Sequence, residues 1–193
     1  VKNLIYGSGI VNDKGPLCCT LAAAVAIKRS KAKIDGDIVL TGVCSEIGRA
    51  PIDQYQGAPY RGKGVGIRYM LTHGIVADYA IVCEPSRFGI TWTQAGATFI
   101  KITVWGEAMY APYVQHVKDF KKSKNAVVKA STLIEPLEDW ALEYEEKYRY
   151  KFDAGEVVPK VNIGAIMGGA PFKPNFSPGV CNLYVEAFTA PGT

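Results

Sequence analysis

Histidine is scarce in this 193-residue chain, which has only His73 and His116. Neither is placed to activate Ser45 or Cys44, so a serine or cysteine triad is not indicated. His73 precedes Gly74 at an expected helix end, where the helix dipole favours a cation; His116 sits in a charged surface segment. Long apolar runs are missing too. Leu21–Ile27 and Tyr79–Cys83 fall far short of a bilayer, and no basic stretch leads into an apolar signal. Charge of one sign is not in large excess: 22 Lys and Arg against 18 Asp and Glu give a formal +4, spread along the chain. No basic stripe therefore points to nucleic acid, and the lysine-rich Lys118–Lys124 reads as a solvated loop. The cysteines, at 18, 19, 44, 83 and 181, contain no C-x-x-C and lie mostly in apolar runs. They read as buried reduced thiols of a cytoplasmic protein. Gly7-Ser8-Gly9 is followed neither by the third glycine of a dinucleotide loop nor by G-K-[ST], so phosphate cradling is not indicated.

What is present is enough apolar residue, 48% of the chain, to bury a core. A glycine-rich turn, Gly7–Gly15, precedes an alanine-rich helix expected from Leu17 to about Arg29. Asp37–Val43 and Tyr79–Cys83 are short, β-branched and expected as buried strands, each ending at a carboxylate, Glu46 and Glu84. Between them a glycine-studded loop, Arg49 to Gly66, leads to a short helix, Ile67–Thr72. This alternation fits an α/β domain with a largely parallel sheet, whose ligands gather at the carboxyl ends of the strands. From about Gly89 the pattern becomes α+β: an alternating stretch Thr91–Trp105, a charged helix Asn125–Tyr150, and strands Val161–Met167 and Val180–Phe188. Trp140, Tyr144 and Tyr148 recur at helical spacing as a stripe packing onto the sheet. The expected domains are 1–87 and 88–193. Val1 opens straight onto a strand-like "NLIYG" and Thr193 closes after "TAPG", as in a chain cut from something longer.

Carboxylates at strand ends beside a glycine turn are what a hard-cation site would use. Their surroundings also carry a resemblance. "LIYGSGIVNDKGPLCCTLAA", "DIVLTGVCSEIGRA", "ADYAIVCEPS" and "VNIGAIMGGAPFKPNFSPGVCNLYVEAFTAPG" occur in the order of motifs in the zinc-dependent metallopeptidase and deacylase family of acetylornithine deacetylase, succinyl-diaminopimelate desuccinylase and glutamate carboxypeptidase. The chain resembles that family over most of its length. The resemblance implies an α/β catalytic domain of the zinc-peptidase type followed by a smaller α+β dimerisation (lid) domain. It also implies a pair of zinc ions, hydrolysis of an amide or peptide bond in an N-acyl amino acid or small peptide, and a homodimer formed through the smaller domain.

By the same resemblance Glu46 and Glu84 are metal ligands, Asn12 stands at the bridging-aspartate position, Ser45 at the general-base position, and Asn175 matches the family's N-x-x-P. A lid-domain histidine falls on Tyr110, and a carboxylate-binding arginine on Phe188. The family's remaining metal histidines lie upstream and downstream of the matched motifs. An amide at position 12 brings no negative charge to a bridged pair of cations, and a serine hydroxyl lacks the basicity and reach of a glutamate base. The readings are a metal-dependent amide hydrolase, a catalytically lapsed homologue serving as a binding or scaffold protein, and a piece serving only for dimerisation.

Overall fold

The computed structural model describes residues 3–60, 64–84, 86, 88–91 and 93–193. Val1, Pro85 of the expected E-P-S motif, Arg87 at the expected domain boundary, Trp92 of the expected strand, and part of the Arg49–Gly66 loop lie outside them. The chain falls into compact units, Val1–Thr91 and Trp92–Thr193.

In the first unit, helix α1 spans Gly15–Ser30. Pro16 starts it, where a missing N–H costs nothing, alanines sustain it, and Lys31 ends it in the left-handed conformation at φ 55°. The wider run Ile10–Ser30 has the length and composition of a membrane span, at mean hydropathy 1.3. Its backbone is non-helical at Asn12 and Asp13, and the 16-residue regular helix rises only about 24 Å against a ~30 Å hydrocarbon core. Helix α2, Val65–Thr72, follows Gly64. At its end His73 presents Nδ1 to the Tyr69 carbonyl oxygen at 2.7 Å and stacks on the Tyr69 ring at 3.8 Å, so its partners are those of a helix terminus.

The strands expected at Asp37–Val43 and Tyr79–Cys83 are not formed: neither segment joins a ladder among the described residues. A strand exists only when a neighbour takes up its N–H and C=O groups, and β-propensity expresses packing on a pleated surface. Without that neighbour the apolar side chains stand in solvent, Tyr79 at 92% and Ile81 at 93% exposure. The cysteine expectation is corrected for the same reason. Cys18, Cys19 and Cys44 are exposed, Cys83 is half-buried, and only Cys181 is buried.

The second unit is an antiparallel sheet in the order β1 (Gly96–Trp105), β7 (Val180–Thr189), β5 (Val161–Gly168). Central β7 alternates cleanly: Cys181, Leu183, Val185 and Ala187 are buried, while on the opposite face Asn182 Oδ1 accepts from Thr103 Oγ1 at 2.9 Å. Gly164 sits at a bulge where β5 shifts register against β7. Short ladders join β2 (Met109–Tyr110) to β6 (Phe176–Ser177) and β3 (Tyr150–Phe152) to β4 (Gly155–Val157).

The single helix expected over Asn125–Tyr150 is divided into α3, Ala126–Ser131, and α4, Ile134–Lys147. Pro136 explains the break, because it cannot donate to the Thr132 carbonyl and its ring crowds that turn. Asn125 caps α3, its Oδ1 accepting from the backbone N–H of Val127 at 2.9 Å and Val128 at 3.3 Å. The core joins Val104, Cys181 and Leu183 to Ala126 and Ala130, with Leu133 and Leu137 against it. The core-facing stripe of α4 is therefore Leu133, Leu137 and Ala141. The aromatic stripe stacks along the helix, with centroids 5.2 Å apart from Trp140 to Tyr144 and 5.0 Å from Tyr144 to Tyr148; Tyr144 and Tyr148 are half-buried and Trp140 is 39% exposed.

Candidate functional site

The site in the first unit is assembled by three segments. The turn before α1 is closed by the Lys14 N–H, which donates to the Gly9 carbonyl at 2.8 Å. Lys14 Nζ donates to the Ser8 carbonyl at 2.9 Å, and Gly9 itself takes φ 77°, a conformation glycine adopts freely. Asn12 and Asp13, joined by a cis peptide bond, are thereby held at the mouth of the helix. The segment ending at Glu84 is tied to α1 by a 2.8 Å contact between Cys83 Sγ and Thr20 Oγ1. The segment carrying Ser45 and Glu46 is fixed by the N-terminus of α2. The Gly64 N–H donates to the Ser45 carbonyl at 3.0 Å, and Gly66 lies so close to the Cys44 backbone that any side chain there would collide with it.

These ties bring Asn12, Asp13, Glu46 and Glu84 into one electrostatic neighbourhood. Asn12 Nδ2 donates to Glu84 Oε2 at 3.1 Å. The Glu84 carboxyl is raised above the ordinary carboxylate range, first by partial desolvation, then by the neighbouring charges of Asp13 and Glu46, while the Asn12 hydrogen bond acts in the opposite direction. Asp13 Oδ1 is buried and has no hydrogen-bond partner, an arrangement that costs free energy unless something positive faces it. Ser45, at the expected general-base position, holds φ 61°.

A positive charge near Asp13, Glu46 and Glu84 would face the orphaned Asp13 oxygen and relieve the repulsion that raises Glu84, but the three carboxylates do not by themselves close around one ion. They do not fit a bridged zinc pair held by this chain alone. Asn12 turns its N–H toward Glu84, and among the described residues no group of three or more His, Cys, Asp or Glu side chains converges closely enough to enclose a metal.

The remaining expected positions lie in the second unit. Tyr110 and Asn175 share one corner: the Ala111 N–H donates to the Asn175 carbonyl at 2.8 Å, and Tyr110 pairs with Phe176 across the β2–β6 ladder, rings 5.4 Å apart. Phe188 does not join them. It lies toward the far end of β7, paired with Ala97, about 27 Å of strand beyond the Val180 end.

The motif register gives the bridging position to Asn12 and reaches Asp13 only if the backbone turn shifts by one residue; the signal that distinguishes them is burial of a single oxygen, which spacing does not carry. A cleft lined by Ala108 and by part of the segment Gly169–Val180 was also missed, although the density of glycine, proline and phenylalanine in "GGAPFKPNFSPG" marked that loop as unusual. No protein-family model matches the chain.

Proposed function

We propose that this chain carries part of an α/β catalytic domain and part of a dimerisation domain of a metal-dependent hydrolase. Its reaction would be cleavage of an amide or peptide bond in an N-acyl amino acid or small peptide. The observation that supports this is the contact of Asn12 with Glu84, the electrostatic influence of Asp13 and Glu46 on that carboxyl, and a buried Asp13 oxygen left unpartnered. Glu46, Glu84 and Asp13 would supply only part of a zinc site, which needs further ligands to close it. When bound, the ion lowers the pKa of a water and polarises the substrate carbonyl.

The chain's own residues do the positioning. Asn12 orients Glu84 through its amide N–H, Lys14 braces the turn that presents Asp13, and α2 fixes the segment bearing Glu46. Ser45 contributes no base, since a hydroxyl does not accept a proton near neutral pH. The homodimer belongs to the second unit, where β1 and β5 are both edge strands. Five unpaired thiols suit a reducing cytoplasm.

A second reading is favoured by a specific observation: an amide donor rather than a carboxylate faces Glu84. On that reading the fold persists as a binding or scaffold protein after its metal chemistry has lapsed. Zinc loading of the whole chain, dialysis and elemental analysis, followed by assay on N-acetyl amino acids, separates the two. Retention of about one zinc per chain with slow hydrolysis supports the hydrolase. No retained metal and no hydrolysis overturns it in favour of the scaffold.

A further inference from the structure

The loop between β5 and β7 folds back against Ala108 to form a cleft of about 410 Å³ within the second unit, inside the ~300–1,000 Å³ range of small-molecule sites. It is an open depression whose lining includes Phe172, Phe176, Pro178, Ala108, Gly169 and Gly179. Little side chain intrudes there for a steric reason: a Cβ on Gly179 would stand 3.2 Å from the Ala108 nitrogen, and Gly169 takes φ 76°, which strongly disfavours most side chains.

The cleft has one charged lining residue, Lys173. Its Nζ stands 5.1 Å from the centroid of the Phe176 ring, which holds the ammonium against one wall by cation–π attraction. Among the described residues no carboxylate forms an ion pair with it. The nearby Ser177 hydroxyl is occupied elsewhere, lying 3.1 Å from the Glu107 carbonyl and 3.4 Å from that of Met109. Phe172 is 89% exposed, a large apolar ring left in water at the rim of an apolar cleft.

We infer that this cleft binds a small aromatic carboxylate, the ring of the ligand lying between Phe172 and Phe176 and its carboxylate meeting Lys173. A neutral arene would leave the ammonium without a counter-charge. An inorganic anion would leave the rings uncovered. A monoanion with a flat apolar body satisfies both, by aromatic stacking and a charge-assisted hydrogen bond. This site involves no residue of the first unit and requires no metal, so it stands or falls separately from the proposed hydrolysis.

The test uses the whole chain in excess chelator, titrated calorimetrically with 3-phenylpropionate and with its neutral amide. The acid should bind saturably to the unmodified protein. The amide should bind about tenfold more weakly or worse, and Lys173→Met should weaken the acid by a similar factor, with an unchanged thermal midpoint because the side chain replaced is exposed. Phe172→Ala should weaken acid and amide alike. Equal affinity for acid and amide, unchanged affinity in Lys173→Met, or no saturation below roughly 10 mM would each overturn the proposal. The acid–amide comparison on unmodified protein decides the matter even if a variant fails to fold.

Discussion

The side-chain amide of Asn12 donates to Glu84 across 72 positions of sequence, at 3.1 Å. The contact places an uncharged donor where a fourth negative charge would otherwise face Glu84 and its neighbours Asp13 and Glu46. It is a local solution to carboxylate crowding that does not require a cation, and it makes position 12 the most informative place to intervene.

Asn12→Asp should remove that donor and add a charge. In chelator the Glu84 carboxyl should rise further. A carboxyl raised on folding stabilises the folded state fully below its unfolded value of about 4.3, and that contribution is lost as pH rises through the folded value. The variant should therefore lose more thermal stability than the parent between pH 4 and pH 7. With zinc present the order should reverse, affinity rising about tenfold or more in titration calorimetry. Combined with Ser45→Glu, hydrolysis of N-acetyl amino acids should increase by roughly a hundred- to ten-thousandfold; the two changes act on one water and must be measured together.

Asp13→Asn tests the orphaned oxygen. Without metal the substitution should be neutral or stabilising, because it removes the charge and supplies a donor beside Glu84. With zinc it should reduce affinity about as much as Glu46→Gln does. Calorimetry showing the full effect at Glu46 and none at Asp13 would remove Asp13 from the ligand set.

Cys181 is fully buried, and burial pushes its thiol above the ordinary range. Its stabilising contribution is complete below the unfolded thiol value, about 8.5, and is lost as pH rises through the folded value. Thermal stability of the second unit should fall above that pH, and Cys181→Ala should flatten the dependence while costing some packing. Thiol labelling at neutral pH should modify Cys18, Cys19 and Cys44 rapidly and Cys181 only on unfolding.

Leu183 has no exposed surface and sits where β7 meets α3. Leu183→Ala should destabilise the second unit by about 2–5 kcal/mol. Asn125→Ala, which removes only the cap of α3, should cost about 1 kcal/mol. Denaturant midpoints of the two variants give the comparison directly, and a cap loss equal to the core loss would show that α3 contributes more than its burial implies.

Helix α1 and strands β5 and β7 were legible in the sequence because each encodes its own boundary conditions: alanines and Pro16 for the helix, strict alternation for β7. The break at Pro136 was legible in principle, but the apolar and charged periodicity runs through it and hides it. The segments 37–43 and 79–83 show the opposite failure. Their composition encodes strand, yet ladder formation depends on a partner segment, and composition cannot supply one. At the site, residue type and spacing singled out Glu46 and Glu84, whereas the role of Asp13 depends on which oxygen the backbone turns inward.

The shared position of β7 sets an order of events during synthesis. Gly96 pairs with Thr189 and Ala165 with Tyr184, so neither flanking strand meets its hydrogen-bonding partner until residues 180–189 have left the ribosome. A nascent chain halted before Val180 presents β1 and β5 as open edges, together with the apolar faces of α3 and α4 that Leu183 and Cys181 would cover. Emergence of that strand, rather than the formation of any helix, is therefore the moment at which the second unit ceases to be a substrate for chaperones and proteases.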